Sequence, residues 1–215
     1  MDMDKHIIKV ENLSKEIDCN VIFDNINLNI SEGTICGIVG INGSGKSMLL
    51  KAISGLVYGS SGTIKVFDTI IHNGKFPENF GVLLDSPGLL PQYSAFDNLK
   101  ILASINNVIT DNQIKDTLKL VGLNPDDKRP TKKYSLGMKQ KVGIAQALME
   151  KPKLLLLDEP MNALDEKSIL HMRELILNLK NQKVTIVLTS HNKDDIDILC
   201  DKVYQIDSGK LTLVE

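Results

Sequence analysis

The segment GINGSGKS at residues 40–47 restricts what this chain can fold into more than any other stretch. It fits the pattern G-x-x-x-x-G-K-[ST] and lies between a short apolar run, TICGIV, and an amphipathic run, KSMLLKAISGL, so it reads as a loop joining a buried strand to a helix. At average glycine content, a chance match somewhere in a chain of this length has a probability of roughly one in a hundred. Glycines here let successive backbone amides converge on phosphate oxygens, and the helix that follows adds unpaired N–H groups and the positive end of its dipole. The expected nucleotide-binding set is Gly40, Asn42, Gly43, Ser44, Gly45, Lys46, Ser47 and Met48. Lys46 would reach the β- and γ-phosphates of ATP, and Ser47 would ligate Mg²⁺.

Four short apolar runs without alternation, TICGIVG, KLLLLD, VTIVLTS and VYQID, have the character of parallel strands covered on both faces. Residues 6–30 and the segment GTIKVFD at 62–68 alternate loosely between apolar and polar, as half-buried antiparallel strands do. Between about 85 and 150 the apolar period is helical, with FDNLKILASI and IKDTLKLVGL as two helices. Met138, Val142, Ala145 and Met149 mark one face of a third. The predicted fold class is α/β: a P-loop NTPase core with a mostly parallel sheet, an N-terminal antiparallel β-subdomain and an inserted helical subdomain. One domain is expected over residues 1–215, with about 1–84 and 151–215 forming the nucleotide-binding core and about 85–150 the helical subdomain.

Bulk properties exclude several functions. A net charge of −2 with 24% charged residues gives no global attraction to nucleic acid, and the densest basic run, KRPTKK at 128–133, lacks aromatics and reads as a solvated loop. No nucleic-acid partner is expected. Cys19, Cys36 and Cys200 are widely spaced and suggest neither a disulfide framework nor a zinc site. No apolar run approaches the roughly 18 residues of a spanning helix, and the opening MDMDKH is polar rather than signal-like, so a soluble, cytoplasmic chain is expected. Any membrane part would belong to another chain.

KLLLLDEP places Asp158 and Glu159 at the end of a buried strand, where open parallel sheets hold their ligands. An acidic pair can be an ordinary loop feature, but beside a phosphate loop it acquires two uses. Asp158 suits Mg²⁺, directly or through water, and Glu159 is placed to orient or deprotonate the attacking water. His191, at the end of VLTSH, could donate a hydrogen bond to the γ-phosphate from the same edge, although a lone histidine is commonly structural. His6, His72 and His171 have no such setting. In YSLGMKQK at 134–141, Ser135 has the chemistry of an N-cap and Gly137 follows at the second helical position. That start fits either an ordinary cap or an anion site built from free amides.

The order GINGSGKS, YSLGMKQK, LLLLDEP, TSH, spread over nearly the whole chain, resembles the ATP-binding cassette family of transporter ATPases. The resemblance makes YSLGM the signature motif, usually L-S-G-G-Q, whose Ser135 and Gly137 would bind the γ-phosphate of ATP held by the opposite subunit. It makes NALD, with Asp165, the D-loop, and His191 the switch histidine. It implies a dimer of cassettes, identical or related, joined to a transmembrane permease at the cytoplasmic face of the membrane. Three departures stand out. Asp85 falls at the Q-loop glutamine, where it can still ligate Mg²⁺ but cannot donate a hydrogen bond when ionised. Ile17 falls at the adenine-stacking aromatic, and Leu136 and Met138 replace a signature glycine and glutamine. LLDSPGLLPQYSAFDNL with YSLGMKQK is similar to the subgroup that exports peptide antibiotics, lantibiotics and drugs. Two other functions are a non-transport cassette ATPase and a weakly active nucleotide-binding regulator. The first would call for a long coiled coil or a second cassette, and neither is in this sequence.

Overall fold

The computed structural model describes residues 5–72 and 74–214; the first four residues of the polar opening MDMDKH lie outside the described residues. In chain order the strands are β1 (His6–Ile17), β2 (Asn20–Ser31), β3 (Ile35–Val39), β4 (Ser61–Val66), β5 (Thr69–Ile70), β6 (Phe80–Leu83), β7 (Leu154–Leu157), β8 (Thr185–Thr189), β9 (Lys202–Asp207) and β10 (Lys210–Leu213). The helices are α1 (Lys46–Ile53), α2 (Ala95–Asn106), α3 (Asp111–Leu120), α4 (Leu136–Leu148), α5 (Glu166–Asn181) and α6 (Lys193–Leu199). A four-stranded sheet has the order β2-β1-β4-β5, and a six-stranded sheet has the order β10-β9-β3-β8-β7-β6.

The smaller sheet is antiparallel, as the loose alternation predicts. Ile8 and Val10 of β1 point inward, and the next inward residue is Leu13 rather than residue 12. Asn12 takes a left-handed conformation, φ 51°, where the register with β2 slips. Such an irregularity shifts the side-chain period by one and keeps the apolar set on the core side.

In the larger sheet β9, β3, β8, β7 and β6 run parallel, and β10 closes one edge antiparallel to β9. The non-alternating runs arise because both faces are covered. Leu154 and Leu156 of β7 join the core shared with α1 and the antiparallel sheet, whereas Leu155 and Leu157 join the core shared with α2 to α5. Each such leucine contributes roughly 1.5–3 kcal/mol by burial, so neither face tolerates a polar residue cheaply. Val142, Ala145 and Met149 of the third helical face are buried and Met138 packs against the same core. β6, β10, α5 and α6 are elements the sequence reading left unassigned. β6 occupies the edge beside β7, directly under α4.

Candidate active site

The P-loop joins β3 to α1. Gly45 is the N-cap of α1 at φ 107°, a conformation that L side chains rarely adopt, and no side chain caps the helix. The first-turn amides of α1 are therefore left for a ligand. Lys46 is buried and its Nζ donates to the carbonyls of Gly40 (2.8 Å) and Ile41 (3.1 Å), so the ammonium folds back across its own loop. Ser44 Oγ is buried without a hydrogen-bond partner, and nothing approaches within 4 Å of where a side chain would stand on Gly43. An orphaned hydroxyl and an open face beside bare amides fit an anionic ligand carrying phosphate oxygens. Asn42 is exposed at the tip of the loop, while Ser47 and Met48 are half-buried on α1.

β7 delivers Asp158 and Glu159 to the same edge of the sheet. Asp158 is buried, and its Oδ1 accepts from Thr189 Oγ1 at 2.6 Å. The same hydroxyl accepts from the Glu159 amide at 2.9 Å. Glu159 adopts a left-handed backbone, φ 47°, rare for a residue with a side chain. His191 Nδ1 lies 2.8 Å from Glu159 Oε2, so the histidine and the carboxylate orient one another. Ser190, just before His191, donates to Asp195 Oδ2 (3.0 Å), and Arg173 of α5 donates to Asp195 Oδ1 through Nε (2.9 Å) and Nη2 (2.7 Å). This buried ion pair fixes α6, and with it the turn carrying His191, against α5.

Asp85 is also left-handed, φ 53°, and its carboxylate lies 2.7 Å from Lys51 Nζ on α1. The acidic residue at the Q-loop position thus has a cationic partner within the chain. Ile17 ends β1 half exposed, facing Asn20 across the two-residue turn of Asp18 and Cys19. Val21 and Ile41 are more exposed still, and they line one cavity with Asn42, Gly43 and Ser44. Two aliphatic side chains thus stand beside the P-loop, in a cavity that Asp207 and Ser208 also line.

Ser135 is the N-cap of α4, with Oγ accepting from the Met138 amide at 3.2 Å, and Leu136 beside it is largely exposed. Gly137 faces Ala163 of the NALD segment. Asp165 caps α5, accepting from the Ser168 amide at 2.9 Å, and hydrogen bonds from the Ser168 side chain and backbone hold its carboxyl below the usual carboxylate range. Two functional candidates escaped the sequence reading. Thr189 was hidden in an apolar strand, its signal being a hydroxyl two residues before His191. Gln140, buried on α4, donates through Nε2 to the carbonyls of Glu159 (3.1 Å) and Pro160 (3.3 Å). Its signal was a polar side chain one helical turn after Gly137, on the same face.

A strand–P-loop–helix unit, a neighbouring strand ending in paired carboxylates and a helical insertion define a nucleoside-triphosphatase core. Residues 23–162 match the ABC transporter family. The chain is 44% identical over 210 residues to an uncharacterized ABC transporter ATP-binding protein of Bacillus subtilis (YybJ), covering 97% of this chain and 96% of the relative. It is 38% identical over 207 residues to a lantibiotic transport ATP-binding protein of Streptococcus pyogenes (SrtF), covering 96% and 90%. It is 39% identical over 208 residues to a bacitracin transport ATP-binding protein of Bacillus licheniformis (BcrA), covering 95% and 68%. A dimeric ATP-binding cassette in a post-hydrolysis state bound to ADP and Pi superposes with a TM-score of 0.87 at 22% identity, covering 97% of this chain and 99% of that one. The chain belongs to the ABC transporter family as an ATPase domain.

Proposed function

We propose that this chain powers export of a peptide antibiotic, drug or similar amphiphile, working as a dimer of cassettes on a separate membrane permease at the cytoplasmic face. The lantibiotic and bacitracin transport proteins among its relatives support that substrate class. Among the described residues no helix is long and apolar enough to cross a membrane, which fits a permease supplied by another chain.

The observation that carries the catalytic reading is the contact between Glu159 and His191, 2.8 Å, next to Asp158 and at the same edge of the parallel sheet as the P-loop. ATP phosphates would lie across the P-loop, and Lys46 would exchange the carbonyls of Gly40 and Ile41 for phosphate oxygens. Gly40, Asn42, Gly43, Ser44, Gly45 and Met48 line or follow the cradle. Ser47 and Asp158 are oxygen donors of the kind Mg²⁺ prefers, Asp85 a third if released from Lys51, and the ion would offset charge on the β- and γ-oxygens. Among the described residues no cluster of three His, Cys, Asp or Glu forms a cage by itself, so phosphate oxygens would complete the coordination. Glu159 orients and deprotonates the attacking water, and His191 holds that carboxylate and meets the γ-phosphate. Ser135 and Gly137 of one subunit meet the γ-phosphate bound by the other, with Asp165 at the crossing.

Glu159→Gln tests this reading. It keeps shape and removes the base, so steady-state ATPase should fall by roughly 10²-fold or more while ATP binding persists. ATP-dependent dimers should then accumulate on size exclusion. A Glu159→Gln protein hydrolysing ATP at the wild-type rate removes the base role. A wild-type protein that binds but never hydrolyses ATP would favour the regulator instead.

A further inference from the structure

We infer that Gln140 and Thr189 are positioning residues that hold the catalytic base from both sides of its peptide backbone; the inference rests on Glu159 being that base. The observation is a juxtaposition of three facts. Glu159 sits at φ 47°, where a side-chain-bearing residue is disfavoured relative to the helical and extended regions. Its carbonyl accepts from Gln140 Nε2 at 3.1 Å, and its amide donates to Thr189 Oγ1 at 2.9 Å. Both partners are buried, Thr189 completely and Gln140 to 8% exposure, so water has limited access to these part-buried bonds.

The two clamps come from different parts of the fold. Gln140 belongs to the second turn of α4, whose first residues carry Ser135 and Gly137, and it also holds the Pro160 carbonyl. Thr189 ends β8 and uses the same hydroxyl to donate to Asp158, so one side chain orients both carboxylate-bearing residues. Without these bonds the peptide would relax toward ordinary φ, and the carboxylate would swing away from His191. The base would then be present but displaced. Misplacement of a reacting group by about 1 Å can lower rates by roughly 10²-fold, whereas ground-state binding of the nucleotide depends on the P-loop and is untouched. Loss of Gln140 should therefore act on kcat and leave KM alone, whereas loss of the Thr189 hydroxyl also frees Asp158 and should raise KM for ATP with Mg²⁺ as well.

The test compares purified full-length variants for kcat, KM for ATP with Mg²⁺, and binding of a fluorescent ATP analogue. Gln140→Leu and Gln140→Met each remove the donor at nearly constant volume, and kcat should fall about tenfold or more with KM within about twofold, as loss of a buried hydrogen bond that matters in the transition state predicts. Thr189→Val should lower kcat at least as far, because Asp158 and Glu159 both lose their partner. Thr189→Ser, which keeps the hydroxyl, should restore most of the rate. If both Gln140 variants turn over at the wild-type rate while Glu159→Gln is inactive, the inference is overturned. If a Gln140 variant fails to bind the analogue, the Thr189 pair decides: equal kcat for the Val and Ser proteins overturns it, and a Ser-only rescue supports it. An active Glu159→Gln protein would overturn the base assignment itself, and the inference with it.

Discussion

Gly137→Ala sets helix propensity against tertiary packing, and the two predict opposite signs. Alanine is favoured over glycine in a helix interior by about 1 kcal/mol, less in the first turn where Gly137 stands. By propensity alone the substitution should stabilise. A Cβ at this position, however, would lie 2.6 Å from the carbonyl oxygen of Ala163, a backbone atom that no rotamer change can move. Ordinary contact begins near 3.4 Å, so α4 or the 161–164 turn must move by about 0.8 Å, the difference between these distances. Overpacking of that kind typically costs about 1–3 kcal/mol, so the net change should be destabilising by ~0.5–2 kcal/mol. For a chain of this size that lowers the melting temperature by roughly 1–8 °C. Urea unfolding of the nucleotide-free protein reads the effect apart from any phosphate contact, and Gly81→Ala serves as a scale. There the Cβ would lie 1.9 Å from the Ala147 carbonyl oxygen, so Gly81→Ala should be the worse of the two. A Gly137→Ala protein more stable than wild type would show that α4 does not sit on the NALD segment as described, and the reasoning would fail.

Ile17→Tyr should tighten ATP binding without changing affinity for tripolyphosphate, because a flat π-face adds a stacking contact worth roughly 1–3 kcal/mol to the base alone. Equal gains for both ligands in a titration would place the adenine elsewhere. Arg173→Met leaves Asp195 buried without its cation and should destabilise by about 3 kcal/mol, with little change if Asp195→Leu is made as well; a single variant melting within a degree of wild type would refute it. Asp165 has its carboxyl held below the usual range by Ser168, so its contribution is fully present above the unfolded carboxylate range and is lost as pH falls through the lowered folded value. Acid unfolding of Asp165→Asn, which keeps the cap without the charge, should consequently depend less on pH in that window.

How much of this was legible in the sequence depended on whether the cause was local. The P-loop, its flanking strand and helix and the N-cap Ser135 are local patterns, and the structure contains each of them where the pattern falls. Strands covered on both faces announced themselves because Leu154 to Leu157 serve two cores in alternation. β6 was not read as a strand because Gly81 interrupts it, and the reason for that glycine lies 66 positions on, where the Ala147 carbonyl comes too close for any side chain. Asp85 was visible as an acidic substitute, but its partner Lys51 depends on how β6 returns past α1. Gln140 and Thr189 were invisible for the same kind of reason. Each acts on a backbone group of Glu159, across 19 and 30 residues, and a backbone group leaves no mark in a sequence.

The contacts of α4 decide how this site can respond to movement. Near its start the helix meets Ala163 at Gly137, then the carbonyls of Glu159 and Pro160 through Gln140. Further along it meets Pro87 at Gly143 and, at its end, Gly81 of β6 through the Ala147 carbonyl. Two of these contacts, Gly137 against the Ala163 carbonyl and Gly81 against the Ala147 carbonyl, set a glycine against a backbone oxygen, whereas Gly143 meets the side chains of Pro87 and Leu83. A side chain can accommodate a displacement by changing rotamer, but a glycine against a carbonyl cannot. A shift of β6 or of the NALD segment must therefore move α4 as a body or break its packing, while the 85–88 loop bears on Gly143 only through the Pro87 ring. A body movement of α4 carries with it both Ser135, its N-cap, and Gln140, which holds the Glu159 carbonyl. Close packing at Gly137 thus gives a reason for a glycine in α4 that helix propensity opposes: it ties the helix with little slack to the NALD segment and, through Gln140, to the backbone of Glu159.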